Sequence, residues 1–462
     1  MTSAERKRRQ HYAAVWRWHF LSGLVVVPFF LMAAITGTVM VLKTPVAELM
    51  HRDRLVVEAG GERLPPSALV EAATTVVHGE VRAYLAPDAP DRSAIIYVMP
   101  AHGGPSHAGH GPGGMVAVYV DPYTGAVLDE APLGQSLADL AERMHGTLLL
   151  GTVGDVVIEV LAGFGILMIG TGIYLYWPTA RQPTASSGRA RWRCVHGVTG
   201  WSISAALLFF LVSGLAWTPI WGGKVVQAWG AFPSERFAAP TGEARHEALN
   251  APSARIVPWV LEKTPMPQSS LGTEQTALIS LDDVVGFAER DGFTGYRVLL
   301  PRGEGETFTI SATTMAGDVT DPRKDRTVHI DPVTGIVLAD MPFKDYSLGG
   351  KVMAESIPFH SGQAGAWNVA LNLVACLAVV LLAASGIVMG WRRRPAGRMV
   401  TAPAAGRAEW RRVTLLLLGV SVLFPATAVV LATIMVIDAF VRTQRQTGRG
   451  SASPERSEFK WR

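Results

Sequence analysis

The stretch FLSGLVVVPFFLMAAITGTVMVL occupies residues 20–42 and contains no charged side chain. A helix of this length crosses the hydrocarbon core of a bilayer, which needs about 20 apolar residues. Four more stretches are predicted to span a membrane: one that begins after Glu159 and ends at Trp177, and the ranges Gly197–Gly223, Ala364–Trp391 and Val413–Ile437. The sequence therefore predicts an α-helical membrane protein.

The composition agrees with this class. Of the 462 residues, 49% are hydrophobic and 17% are charged, and the mean hydropathy is +0.24. These values exclude a disordered or collagen-like chain, and two cysteines are too few for a disulfide scaffold. The first span is not predicted to be a cleavable signal peptide, because its apolar core is too long and no small-residue cleavage site follows it.

The distribution of charge predicts the orientation of the spans. Residues 1–18, 178–195 and 392–412 carry 16 Lys and Arg against two acids, whereas residues 43–144 and 224–355 carry 20 against 31. The positive-inside rule places the short basic segments in the cytoplasm and the two long segments outside. The basic pI of about 9.1 is thus a sign of topology and does not indicate nucleic-acid binding.

The fifth stretch leaves two alternatives open. A single crossing would place the basic tail, residues 441–462, on the external side, against the charge rule. Pro425 would instead break the segment into a re-entrant hairpin. We favour the single crossing.

The sequence contains an internal repeat. Val118–Leu128 and Val328–Leu338 each contain the turn D-P-x-T-G between two apolar runs, which predicts a β-hairpin, and an amphipathic helix is predicted in each long segment, near Pro66–Val77 and near Leu281–Arg290. Both His19 and His196 precede a hydroxyl residue and a glycine by 17 and 18 positions. The sequence therefore predicts two repeats of span, external α+β domain and span, which form a four-helix core, plus a fifth C-terminal membrane helix.

The predicted boundaries follow from this repeat. They are 1–43 for the N-terminus and first span, 44–143 and 224–356 for the two external domains, 144–178, 195–223, 357–392 and 413–440 for the other spans, 179–194 and 393–412 for the cytoplasmic connectors, and 441–462 for the tail.

Paired α+β modules that carry D-P-x-T-G turns between membrane helices resemble PepSY domains. From about residue 11 to residue 395 the chain resembles the PepSY-associated transmembrane family (PepSY_TM), whose iron-uptake branch includes inner-membrane ferric-siderophore reductases of the FoxB type. The resemblance implies an oxidoreductase of iron uptake, with ferric iron or a ferric siderophore as the external acceptor.

Four of the 12 histidines stand at repeat-related places near the spans. His19 and His196 begin spans one and three on the cytoplasmic side, and His145 and His360 precede spans two and four on the external side. Haem iron takes an axial nitrogen on each face, and two neighbouring helices can supply one each. We expect two b-type haems, held by His19 with His196 and by His145 with His360, because the sequence has no C-x-x-C-H motif.

Three features leave alternatives open. His102, His107 and His110, in a Gly-rich loop, are candidates for weak external metal capture, although a loop without function is the plainer interpretation. Asp155 and Glu159 are either part of a proton or quinol path or simply face an aqueous environment. The helix length on span four puts the two haem irons some 30–40 Å apart, so that strong helix tilt, another carrier, or a single haem site must be considered.

Two functions remain. The first is a di-haem electron carrier that takes electrons from an unknown cytoplasmic or quinol donor and passes them to an external acceptor. The second is a haem-free membrane scaffold or regulatory protein whose external domains bind a protein or peptide.

Overall fold

The structure is a computed structural model that describes residues 2–101, 114–177, 188–227, 230–250, 256–269, 279–303, 305–393 and 405–450. The chain forms two compact units. The helical unit comprises Met1–Phe29, Asp155–Leu211 and Leu382–Arg462, and the sheet unit comprises Phe30–Gly154 and Val212–Leu381.

The helices of the described residues are named in chain order. They are α1 (Ser3–Val41), α2 (Lys43–Met50), α3 (Arg52–Leu55), α4 (Pro66–Val76), α5 (Leu137–Thr147), α6 (Thr152–Tyr176), α7 (Gly188–Leu215), α8 (Leu281–Arg290), α9 (Leu348–Ser361), α10 (Ala366–Arg393), α11 (Arg407–Ser421) and α12 (Pro425–Gly450). Within the described ranges, four of them, α1, α6, α7 and α10, are long and apolar enough to cross a membrane. The first four predicted spans are therefore confirmed as helices of spanning length and composition.

The fifth predicted span is not one helix. Helix α11 ends at Ser421, and α12 begins at Pro425. Proline has no backbone N–H to donate and disfavours a helical conformation in the residue before it, so a new helix starts there with proline at its first position. The prediction of a single continuous membrane helix over 413–440 is wrong, and α12 continues into the range that had been assigned to a tail.

The strands of the sheet unit form one antiparallel sheet of eight strands. They are β1 (Gly79–Leu85), β2 (Ala94–Pro100), β3 (Val116–Val120), β4 (Val127–Pro132), β7 (Arg297–Leu299), β8 (Phe308–Ala312), β9 (Arg326–Ile330) and β10 (Val337–Pro342), while β5 (Thr241–Arg245) pairs with β6 (Pro265–Pro267). The order is β10-β9-β8-β7-β1-β2-β3-β4. The two α+β segments therefore share one sheet, joined where Tyr84 of β1 pairs with Val298 of β7.

Helices α4 and α8 cover one face of this sheet. Alternate strand residues such as Ile96, Val118, Val298 and Ile310 are fully buried in the same cluster as both helices, as the two-residue period of a strand requires. The two helices are also joined directly, because the Ser67 hydroxyl donates to the Asp282 carboxylate at 2.6 Å. Both helices lie where the sequence predicted them.

The D-P-x-T-G segments form the predicted hairpin turns. Gly125 and Gly335 have φ of +74° and +72°, a conformation that glycine adopts without steric cost. The carboxylates of Asp121 and Asp331 accept hydrogen bonds from the backbone N–H groups two residues later, at 2.8 Å in both turns. The same turn chemistry thus closes β3–β4 and β9–β10.

In the helical unit, α11 packs on α1. The indoles of Trp18 and Trp410 stack with ring centroids 4.6 Å apart, and Trp18 Nε1 donates to the Thr414 hydroxyl at 2.9 Å. Helix α12 contacts α6, where the Thr427 hydroxyl donates to the carbonyl of Val160. These contacts attach the C-terminal hairpin to two of the long helices.

Candidate functional site

His19 and His196 approach each other in the helical unit. His19 lies on α1 and His196 on α7, and their ring centroids are 6.4 Å apart with the ring planes at 88°. His19 Nδ1 is 3.0 Å from the hydroxyl of Thr171 on α6, and His196 Nδ1 is 3.0 Å from the hydroxyl of Ser385 on α10. The structure thus brings together the pair that the sequence predicted.

His145 and His360 lie in the sheet unit, near the C-terminal ends of α5 and α9. His145 Nδ1 is 3.0 Å from the hydroxyl of Thr36 on α1, and His360 Nδ1 is 2.7 Å from the hydroxyl of Ser213 on α7. This second pair is therefore also anchored through Nδ1.

The hydroxyl groups determine which ring nitrogen carries the proton. The hydroxyls of Thr171, Thr36 and Ser385 each donate to a backbone carbonyl three or four residues earlier, at 2.8 to 3.0 Å. Their oxygens are therefore left to accept from the imidazole, which places the proton on Nδ1. Nε2 then keeps its lone pair, the form in which a neutral histidine binds a metal ion.

A glycine follows each of these four hydroxyl residues. A Cβ added at Gly172 would come within 3.2 Å of His19 Cε1, and one at Gly37, Gly214 or Gly386 within 3.6 or 3.7 Å of the corresponding ring. The missing side chain at Gly172 therefore leaves room for the His19 ring, whereas a Cβ at the other three positions would make ordinary van der Waals contact with its ring. The contact between these hydroxyl-glycine pairs and the histidines was not predicted from the sequence, although each of the four spanning helices carries one such pair.

Local backbone structure holds the two histidines of the sheet unit at helix ends. Helix α5 is closed by Leu148 and Leu149 at φ of 52° and 60°, an uncommon conformation for residues with a side chain. Helix α9 ends at Gly362, with φ of 80°. The Asn372 side chain donates to the carbonyl oxygen of His360 at 2.9 Å and so ties the end of α9 to α10.

The other candidate residues have different outcomes. Glu159 is 1% exposed, so the interpretation that it faces water is wrong; Asp155 is half-buried. His102, His107 and His110 lie outside the described residues. Across the ranges that the structure does describe, no group of three or more His, Cys, Asp or Glu is arranged to hold a metal ion.

Four helices of spanning length and one mixed α+β sheet unit define a multi-pass membrane protein. Residues 16–394, most of the chain, match the family described as the PepSY-associated TM region, and the chain belongs to this family. All four histidines lie within the match, whereas α11 and α12 lie beyond it. No curated protein matches the sequence.

Proposed function

We propose that this protein is a di-haem b membrane oxidoreductase that reduces ferric iron or a ferric siderophore on the external side during iron uptake. The observation that carries the proposal is the common anchoring of His19, His196, His145 and His360. The Nδ1 atom of each ring lies within hydrogen-bond distance of a hydroxyl on another helix. For His19, His196 and His145 the hydroxyl already donates elsewhere, so the ring proton is on Nδ1 and Nε2 has the lone pair that a metal ligand needs.

The separation of His19 and His196 fits a ligand pair. A metal–imidazole bond is about 2 Å and the ring centre lies about 1.2 Å beyond the nitrogen, so two imidazoles on opposite sides of one metal ion have centroids about 6.4 Å apart. The distance between these two rings is 6.4 Å. All four rings are only half-buried by protein, which leaves surface for a prosthetic group.

The residues of the chain would bind and orient the haem, and the bound haem would supply one-electron transfer. The hydroxyls of Thr171, Ser385, Thr36 and Ser213 would fix the ring orientation and tautomer of their histidines. The haem would be b-type, because neither cysteine belongs to a C-x-x-C-H motif.

The two-repeat architecture is part of the proposal. His19 is anchored by Thr171 and His145 by Thr36, all within residues 1–177, whereas His196 is anchored by Ser385 and His360 by Ser213, within residues 188–393. Each half of the chain thus orients its own two histidines, while each proposed ligand pair takes one histidine from each half.

The orientation of the spans, the electron donor and the electron acceptor are proposed from the sequence alone. The excess of Lys and Arg in the N-terminus and short connectors supports a cytoplasmic location for them, in a bacterial-type inner membrane with residues 44–143 and 224–356 on the periplasmic side. Electrons would enter from a cytoplasmic or quinol donor. Iron as the acceptor follows from the resemblance to FoxB-type reductases.

The decisive measurement is the visible absorption spectrum of the purified full-length protein, with haem quantified per chain. We expect a Soret band, sharp α-bands on reduction and two haems per chain. A protein that contains no haem after expression with sufficient haem supply would contradict the proposal. The remaining function would then be the haem-free scaffold whose sheet unit binds a protein or peptide.

A further inference from the structure

A cavity of about 400 Å³ lies in the sheet unit, away from the four histidines. Its floor includes Ala83, Tyr97, Leu299 and Thr309, which alternate along their strands with residues buried beneath α4 and α8. The floor is therefore the opposite face of the sheet. Its wall comes from the β5–β6 region, including Gly242, Leu249, Met266 and Gln268.

The size and lining are those of a small-molecule site. Cavities that bind drug-sized ligands are about 300–1,000 Å³ and combine an apolar lining with a few polar groups. Met99, Met115 and Met266 line this cavity together with Tyr97. Methionine side chains are flexible and polarizable, so they adapt to apolar ligands of different shape.

Two guanidinium groups line the cavity, those of Arg82 and Arg302. Arg82 pairs through Nη2 with Glu80 at 2.9 Å, and its buried Nε has no hydrogen-bond partner among the described residues. Arg302 Nε is 3.4 Å from Glu306, whose same oxygen accepts from the backbone N–H of Arg302 at 2.8 Å. An arginine has five N–H donors in a planar fork that matches a carboxylate.

We propose that this cavity binds an organic carboxylate with an apolar body. The body would lie on the methionines and Tyr97, and the carboxylate would accept hydrogen bonds from Arg82 and Arg302. This site goes beyond the proposed electron transfer and does not depend on it, because none of the four histidines lines the cavity.

The test uses 2-naphthoate as the probe and neutral 2-naphthamide as its matched control. The full-length protein, labelled at its methionine methyl groups and held in phosphatidylcholine nanodiscs, is titrated with each compound and followed by NMR. We expect saturable shifts of the Met99, Met115 and Met266 signals with 2-naphthoate, and binding of the amide about tenfold weaker, since hydrogen bonds to a charged group are the stronger ones. Met32, Met168 and Met389, on the spanning helices, report membrane partition.

Three variants complete the design. Arg82→Gln and Arg302→Gln should each weaken 2-naphthoate binding about tenfold, whereas Arg236→Gln, an exposed arginine that does not line the cavity, should leave it unchanged. Ala248→Trp, at an exposed lining position, should abolish binding by filling the space. Unchanged shifts of the remaining methionines show that a variant is folded.

Several results would overturn the assignment. Shifts that do not saturate, or that are equal at all methionines, show membrane partition only. Equal affinity for the amide and the carboxylate, or an equal loss in Arg236→Gln, removes the role of the guanidinium groups. Full binding in a folded Ala248→Trp variant places the ligand elsewhere.

Discussion

The His19–His196 pair and the His246–His329 pair differ in how far apart their rings lie. His19 and His196 have ring centroids 6.4 Å apart, whereas His246 and His329, buried in the sheet unit, have centroids 5.0 Å apart. The Nε2 atoms of the latter pair are 2.9 Å from each other. Two metal–nitrogen bonds of about 2 Å each need about 4 Å between opposed nitrogens. The second pair therefore has no room for a metal ion.

The His246–His329 pair is called the closed pair below, because its two Nε2 atoms are hydrogen-bonded to each other. The other hydrogen bonds of the two rings explain this arrangement. His246 Nδ1 donates to the carbonyl of Thr264 at 2.7 Å, which leaves its Nε2 to accept from His329 Nε2. His329 Nδ1 then accepts from the hydroxyls of Thr307 and Thr309. Every ring nitrogen is satisfied within the protein. A histidine pair is therefore a candidate ligand pair when a hydrogen bond holds Nδ1 and the two Nε2 atoms are not bonded to each other.

The largest expected effect comes from removing a ligand. His19→Ala and His196→Ala should each remove one haem and leave the other, because a bis-imidazole iron that loses one ligand becomes five-coordinate or dissociates. His145→Ala and His360→Ala should remove the other haem. Haem content per chain and low-temperature spectra measure both effects.

The matched control is His246→Gln, which keeps a hydrogen-bonding side chain in the closed pair and should retain both haems. Loss of haem in this variant would break the comparison between the two kinds of pair. Loss of the same haem in His19→Ala and His145→Ala would show that ligands pair within a repeat. Full haem in all four alanine variants would make them ordinary interfacial histidines.

A smaller effect is expected when the anchor is removed and the ligand is kept. Thr171→Val preserves shape but removes the hydroxyl that accepts from His19 Nδ1. Loss of such an outer partner typically costs 10–100-fold in metal affinity, so we expect about tenfold or more weaker haem retention and an altered reduction potential. Thr171→Ser, which keeps the hydroxyl, should behave as the wild type. Haem dissociation to a competing apoprotein and redox titration measure the two quantities; equal behaviour of the valine and serine variants would refute the anchoring role.

Local sequence patterns predicted the local structure well. The uncharged runs predicted α1, α6, α7 and α10, and the D-P-x-T-G turns predicted two hairpins, because both depend on neighbouring residues. The pairing of Tyr84 with Val298 joins strands more than 200 residues apart, and no local pattern encodes it. Pro425 was recognised as a possible break, but the apolar run on both sides was given more weight.

In the candidate site, too, the sequence predicted the residues but not their contacts. Repeat positions identified His19, His145, His196 and His360, but the partner of each ring lies on another helix, 109 to 189 residues away. The hydroxyl-glycine pairs were visible in the sequence, yet their purpose depends on helix packing. His246 and His329 gave no signal, since they are 83 residues apart and the residue that matches His329 in the first repeat is Tyr119.

The closed pair should reveal itself in the pH dependence of stability. Burial lowers the pKa of His246 to about 4, although the Thr264 carbonyl opposes this. Between pH 6.5 and 4 the unfolded state therefore binds more protons at this residue, and stability is lost as pH falls. Burial raises the pKa of Asp325 to about 7, so this carboxyl has the opposite effect and adds stability as pH falls from 7 towards 4.

From pH 7 to pH 5 the effects of His246 and Asp325 are each about 2 kcal/mol and opposite in sign. Burial also lowers the pKa of His329, so the wild-type sheet unit should lose stability over this range. Asp325→Asn removes the acidic contribution and should lose about 2 kcal/mol more than the wild type over this range, whereas His246→Gln removes one of the two histidine contributions and should lose about 2 kcal/mol less than the wild type. The measurement is hydrogen exchange of the β8 and β9 amides at both pH values, corrected for the intrinsic exchange rate. The same sign of change in both variants would show that the His246–His329 pair is already protonated at pH 5, and the neutral network that separates it from the His19–His196 pair would then be wrong.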